Sequence, residues 1–333
     1  MHQYPKQNYI GNKDKIAQWI CENIPKDVRV FFDAFSGGGS VSYAAKEKGL
    51  SVFSNDIMLV NYYIAKALIE NTDETLTSED LDVIIHGTPQ KGFMYKNYSN
   101  KSYFPEECEE LDLYTKNIQL LSSPFKQALA YTVLRRAMIR KMPYSRFTVP
   151  WKQIVQLRDE EYSYKKYKRR HAYHNVSFQE HFRKELPSYN NAVFKAQSVC
   201  KAYNEDIFNL IDKIDADLIY LDPPYTGTMN NYFGFYGVID EMLQNRKLHP
   251  FQHNFVDKKS ALTLFDKLFS KLKKYHYWML SYNNSSYPTK EQLLNLLSKY
   301  AKKVNVLEHD HVYQITGKEN KRKNVEYLFI VEV

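Results

Sequence analysis

Val28-Arg-Val-Phe-Phe-Asp-Ala34-Phe35-Ser36-Gly37-Gly38-Gly39-Ser40 passes from a β-branched and aromatic run into three consecutive glycines. The first half reads as a buried strand and the glycines as the sharp turn that ends it. Val41 to Lys48 then has helical spacing, so the unit is strand, glycine turn, helix. Two further strand-like runs, Ser51-Val-Phe-Ser-Asn-Asp56 and Asp217-Leu-Ile-Tyr-Leu-Asp222, each end on a carboxylate. Tyr277 to Ser281, Lys303 to Leu307 and Val325 to Val331 are the remaining candidate strands. Helix-period segments separate them at Lys13 to Asn23, Met58 to Glu70, Lys258 to Lys273 and Lys290 to Lys302. This alternation predicts an α/β fold with a mostly parallel sheet. The polar segment Gly317 to Asn324 predicts a hairpin joining the last two strands, and with it one antiparallel strand.

From about Ile85 to Cys200 the alternation stops. This stretch is rich in Tyr, Lys, Arg and His, with one clear helix from Pro124 to Lys141. It predicts an inserted, mainly helical domain over 85–200, with 1–84 and 201–333 forming the α/β domain. Charge is concentrated in the same place. Lys126 to His171 holds thirteen Lys/Arg against three Asp/Glu, more than the whole net charge of +8. Cations interleaved with some of the 28 tyrosines suit phosphates and stacked bases. The acidic cluster Glu106 to Glu110 reads as a solvated helix face.

Composition excludes other classes. With 44% apolar and 25% charged residues the chain is an ordinary folded protein, not a disordered one. Cys21, Cys108 and Cys200 lie far apart, which excludes a zinc ribbon or a disulfide scaffold and suits a reducing compartment. Residues 1–15 lack the apolar core of a secretory signal, and no apolar run approaches the ~20 residues a membrane span needs. A cytoplasmic location, with no membrane association, is the expectation. His309-Asp310-His311 has no third ligand set, so no metal site is expected.

A strand, a glycine turn and a helix let backbone approach a nucleotide-like ligand at a sheet edge. No Gly-Lys-Ser/Thr follows, so this is not a phosphate loop of the Walker type. Asp56, ending the next strand, is placed for ribose hydroxyls, which leaves NAD, FAD and S-adenosylmethionine all open. Asp222-Pro223-Pro224-Tyr225 decides among them. Prolines donate no N–H, so the turn presents acceptors only, as an amino group on a planar base requires. Asp222 and the Pro223 carbonyl can each take one amine hydrogen, which directs the nitrogen lone pair at an electrophile, while Tyr225 stacks on the base.

These motifs resemble the Dam-type N6-adenine DNA methyltransferases of class α, the group that accompanies restriction systems. The resemblance covers about residues 8–70 and 200–333. Tyr9-Ile10-Gly11-Asn12-Lys13 is similar to the family's N-terminal motif, whose aromatic and lysine contact the cofactor. Asp33 to Gly39 resembles its glycine loop, and Asn55-Asp56-Ile57 its acidic ribose site. Asn204-Glu205-Asp206-Ile207 resembles the segment that meets the cofactor's adenine. Asp222 to Tyr225 is similar to its catalytic tetrapeptide, Leu280 to Asn284 to a motif near the target-base pocket, and Arg322 to Leu328 to its closing hairpin. The resemblance implies a Rossmann-like S-adenosylmethionine-dependent fold that methylates adenine N6 in double-stranded DNA after flipping the base out. The expected cofactor residues are Tyr9, Lys13, Asp33, Phe35, Ser36, Gly37, Gly39, Asp56, Ile57, Asp206, Ile207 and Asp222. Lys13 is expected to meet the cofactor's carboxylate.

In the insert, the expected target-recognition domain, Arg135, Arg136, Arg140, Lys141, Arg146, Lys165, Lys166, Lys168, Arg169 and Arg170 are candidates for DNA contacts. Lys318, Lys321, Arg322 and Lys323 are further candidates. A restriction system also implies a cognate restriction endonuclease. An RNA adenine methyltransferase and a non-catalytic DNA-binding subunit that keeps the fold are the alternatives.

Overall fold

A computed structural model describes residues 3–226, 231–249, 251, 255–311 and 324–333. The segment 317–323, expected as a turn, therefore lies outside the described residues, as do Lys318, Lys321, Arg322 and Lys323.

In chain order the first elements are α1 (Ala17–Glu22), β1 (Val30–Asp33), α2 (Ser40–Glu47), β2 (Ser51–Asn55) and α3 (Leu59–Ala65). A π turn over Lys66–Glu70 continues α3, so the expected helix from Met58 to Glu70 is present with a change of pitch. Then come α4 (Ser78–Ile85), α5 (Phe93–Tyr98), α6 (Pro105–Ile118), α7 (Pro124–Lys141), α8 (Trp151–Arg158), α9 (Glu160–Tyr167) and α10 (Phe178–Asn190). The chain returns to the sheet with β3 (Cys200–Tyr203), α11 (Ile207–Leu210) and β4 (Leu218–Leu221). After α12 (Tyr232–Gln244) and α13 (Ala261–Lys271) it ends with β5 (Tyr277–Asn283), α14 (Lys290–Leu297), β6 (Lys303–His311) and β7 (Asn324–Glu332).

The contacts divide these elements into two units. One comprises 1–12, 58–195 and 231–249, the other 13–57, 196–230 and 250–333. These breaks differ from the expected ones after residues 84 and 200, since α3, α4 and α12 group with the helices of the insert.

The second unit is the sheet unit, with strand order β3-β2-β1-β4-β5-β7-β6. β7 alone runs antiparallel, paired with β5 on one side and β6 on the other. The remaining pairs, β1 with β2 and β4, β2 with β3 and β4 with β5, are parallel. Every residue of β4 is buried, as a central parallel strand covered on both faces requires. Asp217 fixes the entry to the sheet, its Oδ2 accepting from Arg29 N at 2.7 Å and Val30 N at 2.8 Å. The core against this sheet includes Phe32, Ile219, Phe265, Trp278 and Phe329.

The chain winds outward from β1 through β2 to β3, then crosses to β4 on the other side of β1. Open α/β sheets bind ligands beyond the carboxyl ends of the strands at such a reversal. The loops leaving β1 and β4 begin at Ala34 and Asp222, side by side.

The other unit is helical. α7 is buried nearly all round, from Ala128 to Ile139. α12 is fixed by function of its own carboxylate: Asp240 accepts from Leu59 N at 2.9 Å and Val60 N at 2.8 Å, which caps the start of α3. No helix among the described residues is long and apolar enough to cross a membrane.

Candidate active site

The strand ends of β1, β2 and β3 are laced together by two asparagines. Asn55 Nδ2 donates to Ala34 O at 3.2 Å and Glu205 O at 3.1 Å, and its Oδ1 accepts from Glu205 N at 3.1 Å. Asn204 Nδ2 donates to Asp56 O at 2.8 Å and Ile57 O at 3.0 Å. Between these ties the chain turns sharply at Gly37, with φ 51°, and Gly39, with φ 83°. Both values lie in the left-handed region that glycine alone enters at no steric cost. Gly37 N donates to Asp56 Oδ2 at 2.9 Å, so the carboxylate expected to meet a ribose also fixes the glycine turn.

Two buried polar atoms of this turn have no hydrogen-bond partner among the described residues, Ser36 Oγ and Asp33 Oδ1. The other oxygen of Asp33 accepts from Ser42 Oγ at 2.7 Å. Burial raises the Asp33 carboxyl to about 7, against the lowering effect of the Ser42 bond. Asp33 therefore turns its side chain into the protein instead of presenting it at the surface. Asp206 caps α11 by accepting from Phe208 N at 3.0 Å. Ile207 beside it is buried, whereas Ile57 is 36% exposed.

At the end of β4, Asp222 retains 16% side-chain exposure, enough to be reached from outside. Pro223 is buried and Pro224 half-buried, so the turn is held rigidly against the sheet. Tyr225 Oη donates to Asp222 Oδ1 at 3.1 Å, and its ring packs edge-on against Tyr282 at 5.1 Å. Tyr282 belongs to the stretch of β5 expected near a base pocket. Lys13 Nζ lies 3.0 Å from Asp222 Oδ1, bonds Tyr225 Oη and stands 5.2 Å from the Tyr225 ring centre. Lys13, expected to meet a cofactor carboxylate, here has its charge against the Asp222–Tyr225 turn. Burial raises the Asp222 carboxyl, while the Lys13 charge and the bonds from Lys13 and Tyr225 pull it down.

Glu326 is a site residue that the sequence reading did not single out as such. It is buried on β7, 3.2 Å from Lys13 Nζ, so Lys13 bridges two carboxylates. Its position follows from strand direction: β7 is antiparallel, so its first residues lie at the carboxyl edge of the sheet, with Glu326 opposite Asn283. An acidic residue at the start of a reversed strand was the available signal.

Tyr9 belongs to the helical unit. Its ring stacks on Tyr236 at 4.9 Å, and its hydroxyl accepts from Asn61 Nδ2 at 3.1 Å. In the same unit lie three residues expected to contact DNA. Arg135 is fully buried, its Nη1 donating to Gln7 O at 2.8 Å, with its guanidinium 5.8 Å from the Tyr9 ring. Arg136 is buried against Glu185 at 3.2 Å, and Lys141 against Glu107 at 2.8 Å. All three side chains bond within the unit. Arg140 is half-buried near Glu185 at 3.5 Å, and Arg146 half-buried over the Tyr144 ring at 5.6 Å. Glu107 also pairs with Arg158 at 2.7 Å, so the acidic cluster on α6 is not purely a solvated face. Lys165, Lys166, Lys168, Arg169 and Arg170, the other expected DNA contacts, are exposed.

Comparison with known proteins agrees with this geometry. Residues 9–315 match the family described as D12 class N6 adenine-specific DNA methyltransferase. The Type II methyltransferase M2.HphI of Haemophilus parahaemolyticus is 58% identical over 329 residues, covering 99% of this chain and 98% of that protein. The Type II methyltransferase M.CviAII of Paramecium bursaria Chlorella virus 1 is 25% identical over 350 residues, covering 98% of both chains. The Type II methyltransferase M.FokI of Planomicrobium okeanokoites is 24% identical over 374 residues, covering 97% of this chain and 52% of that longer protein.

Proposed function

The chain belongs to the D12 class N6 adenine-specific DNA methyltransferases, and on that premise we propose how its residues carry out the site-specific methylation of adenine in DNA. The observation that carries the reading is the tetrapeptide Asp222 to Tyr225 leaving β4 beside the glycine turn of β1, with its lead carboxylate still partly exposed.

The methyl donor is S-adenosylmethionine. The donor set fits it: a left-handed glycine turn, the unpartnered Ser36 hydroxyl, the Asp56 carboxylate for ribose hydroxyls and Asp206 for an adenine amine. When bound, S-adenosylmethionine supplies an electrophilic methyl group. Phe35 to Gly39 line its amino-acid part, and Ile57 and Ile207 contribute apolar contacts.

The target adenine is flipped out of the duplex, at a cost of a few kcal/mol. Tyr225 stacks on it, and base–aromatic stacking worth about 1–3 kcal/mol offsets that cost. Asp222 and the Pro223 carbonyl accept the two hydrogens of the N6 amine and hold its lone pair in line with the methyl group. Catalysis then rests on positioning and on acceptors aimed at a nitrogen that becomes positive. Asp222 acts as an ionised acceptor and need not be a strong base. Burial raises the Asp222 carboxyl, the Lys13 charge opposes that rise and favours the ionised form, and Glu326 holds Lys13 in place.

The helices of the insert read the DNA sequence, and a restriction endonuclease of the same specificity is the cognate partner. Asp222→Ala is expected to lower methyl transfer to DNA by at least about 100-fold, and Tyr225→Ala to reduce it severely. Both are measured with tritiated S-adenosylmethionine, and unimpaired turnover of either variant refutes the assignment.

A further inference from the structure

Six of the thirteen cations of the basic stretch already face a carboxylate. Lys126 pairs with Asp80 at 2.7 Å, Arg136 and Arg140 face Glu185, Lys141 and Arg158 share Glu107, and Arg170 meets Glu161 at 2.6 Å. Lys152, Lys165, Lys166, Lys168 and Arg169 are exposed and have no carboxylate partner among the described residues. They lie on α8, on α9 and just after it.

A cavity of about 260 Å³ opens between these two helices. Gln153 and Gln156, one turn apart on α8, line it together with Lys152, Tyr162, Lys166 and Tyr167, over a floor that includes the buried Leu157. Among the described residues no acidic side chain lines it. The nearby acids are engaged: Asp159 caps α9 by accepting from Glu161 N and Tyr162 N, each at 3.0 Å, and Glu161 holds Arg170. Lys166 Nζ donates to Tyr162 Oη at 3.0 Å, which holds the ammonium at the cavity wall.

A phosphate alone needs only donors. Two carboxamides add acceptors, and a carboxamide matches a base edge that presents one donor beside one acceptor. Among base edges in the major groove that pattern is adenine N6 and N7, the usual bidentate partner of glutamine. We propose that the α8–α9 cavity is a base-reading site of the recognition sequence, in which Gln153 and Gln156 engage the edge of an adenine other than the methylated one. Lys152 and Lys166 hold the flanking phosphates. The inference rests on the proposed function and adds to it the residues that set sequence specificity.

The test uses the full chain. Methylome sequencing of genomic DNA treated with the parent protein and S-adenosylmethionine gives the recognition sequence. kcat/KM is then measured on duplexes substituted at each position in turn. In Gln153→Ala/Gln156→Ala, discrimination at one A·T position is expected to fall by about 10- to 100-fold, with the other positions unchanged. Gln156→Glu, a milder change, is expected to move the preference at that position toward cytosine, whose N4 donates to a carboxylate. Lys166→Met is expected to weaken binding alike for all sequences and to reduce the salt slope by about one. Full discrimination retained at every position by the glutamine variants, whatever their overall rate, overturns the proposal. Failure of the parent protein to methylate DNA would overturn the underlying reading first, and the cavity's role with it.

Discussion

Asp222 is subject to opposing influences on its proton. Burial favours the neutral acid, while Lys13 at 3.0 Å favours the carboxylate that accepts from the target amine. Replacing Lys13 by Met removes the cation and leaves the burial, so the carboxyl rises further. Below that higher pKa the protonated oxygen no longer accepts from the amine. The acidic limb of kcat against pH is therefore expected to move to higher pH in Lys13→Met, with activity partly recovered in alkaline buffer. Glu326→Gln leaves Lys13 with Asp222 as its remaining carboxylate partner at this bridge, and is expected to move the limb the other way. If Lys13 served only the methyl donor's carboxylate, KM for the donor would rise with the limb unmoved. The tetrapeptide was legible because its four residues are contiguous and follow an obvious strand. Glu326 was not, because it reaches Asp222 only through the reversed direction of β7.

The elements read most clearly were those with an unbroken apolar run or period, such as β1, β4 and α7. β3 was missed because Cys200-Lys-Ala-Tyr203 is a short edge strand, only partly buried, with little alternation to mark it. α12 was missed because Gly234 and Gly237 interrupt an aromatic run, and glycine disfavours a helix by about 1 kcal/mol against alanine. α7 was read as a helix, but the fate of its cations was not, since a helix buried all round has no polar face to separate surface arginines from interior ones. The glycine turn between β1 and α2 yields a sharper expectation. Gly39 precedes α2 at φ 83°, ψ 9°, while Gly38 has no positive φ. Gly39→Ala is expected to destabilise the chain by about 1–2 kcal/mol, and Gly38→Ala by clearly less. Urea unfolding without ligand measures both, and equal losses would show that the turn does not depend on left-handed backbone.

Across the whole molecule the two units carry opposite responses to acid. In the helical unit His174 and His181 are buried, and burial lowers each to about 4. Arg158 and Lys141 add to the effect on His174, and Arg140 and Lys141 on His181. Unfolded histidine takes up its proton near pH 6.5. The unfolded state thus binds more protons below that point, and the stability these two residues contribute above it is lost as pH falls toward 4. In the sheet unit Asp33 has the reverse sign. Its folded value of about 7 lies above the unfolded ~3.9, so its contribution is fully present below ~3.9 and is lost as pH rises through 7. Segment-resolved hydrogen exchange at pH 7.5 and 5.5, corrected for intrinsic rates, separates the two. Protection in α10 and around His174 is expected to fall on acidification, while protection in β1 and β2 holds or rises. His174→Gln/His181→Gln should flatten the first response and Asp33→Asn the second. A uniform loss of protection in both units would mean that Asp33 is ionised in the folded state, despite the burial that raises it.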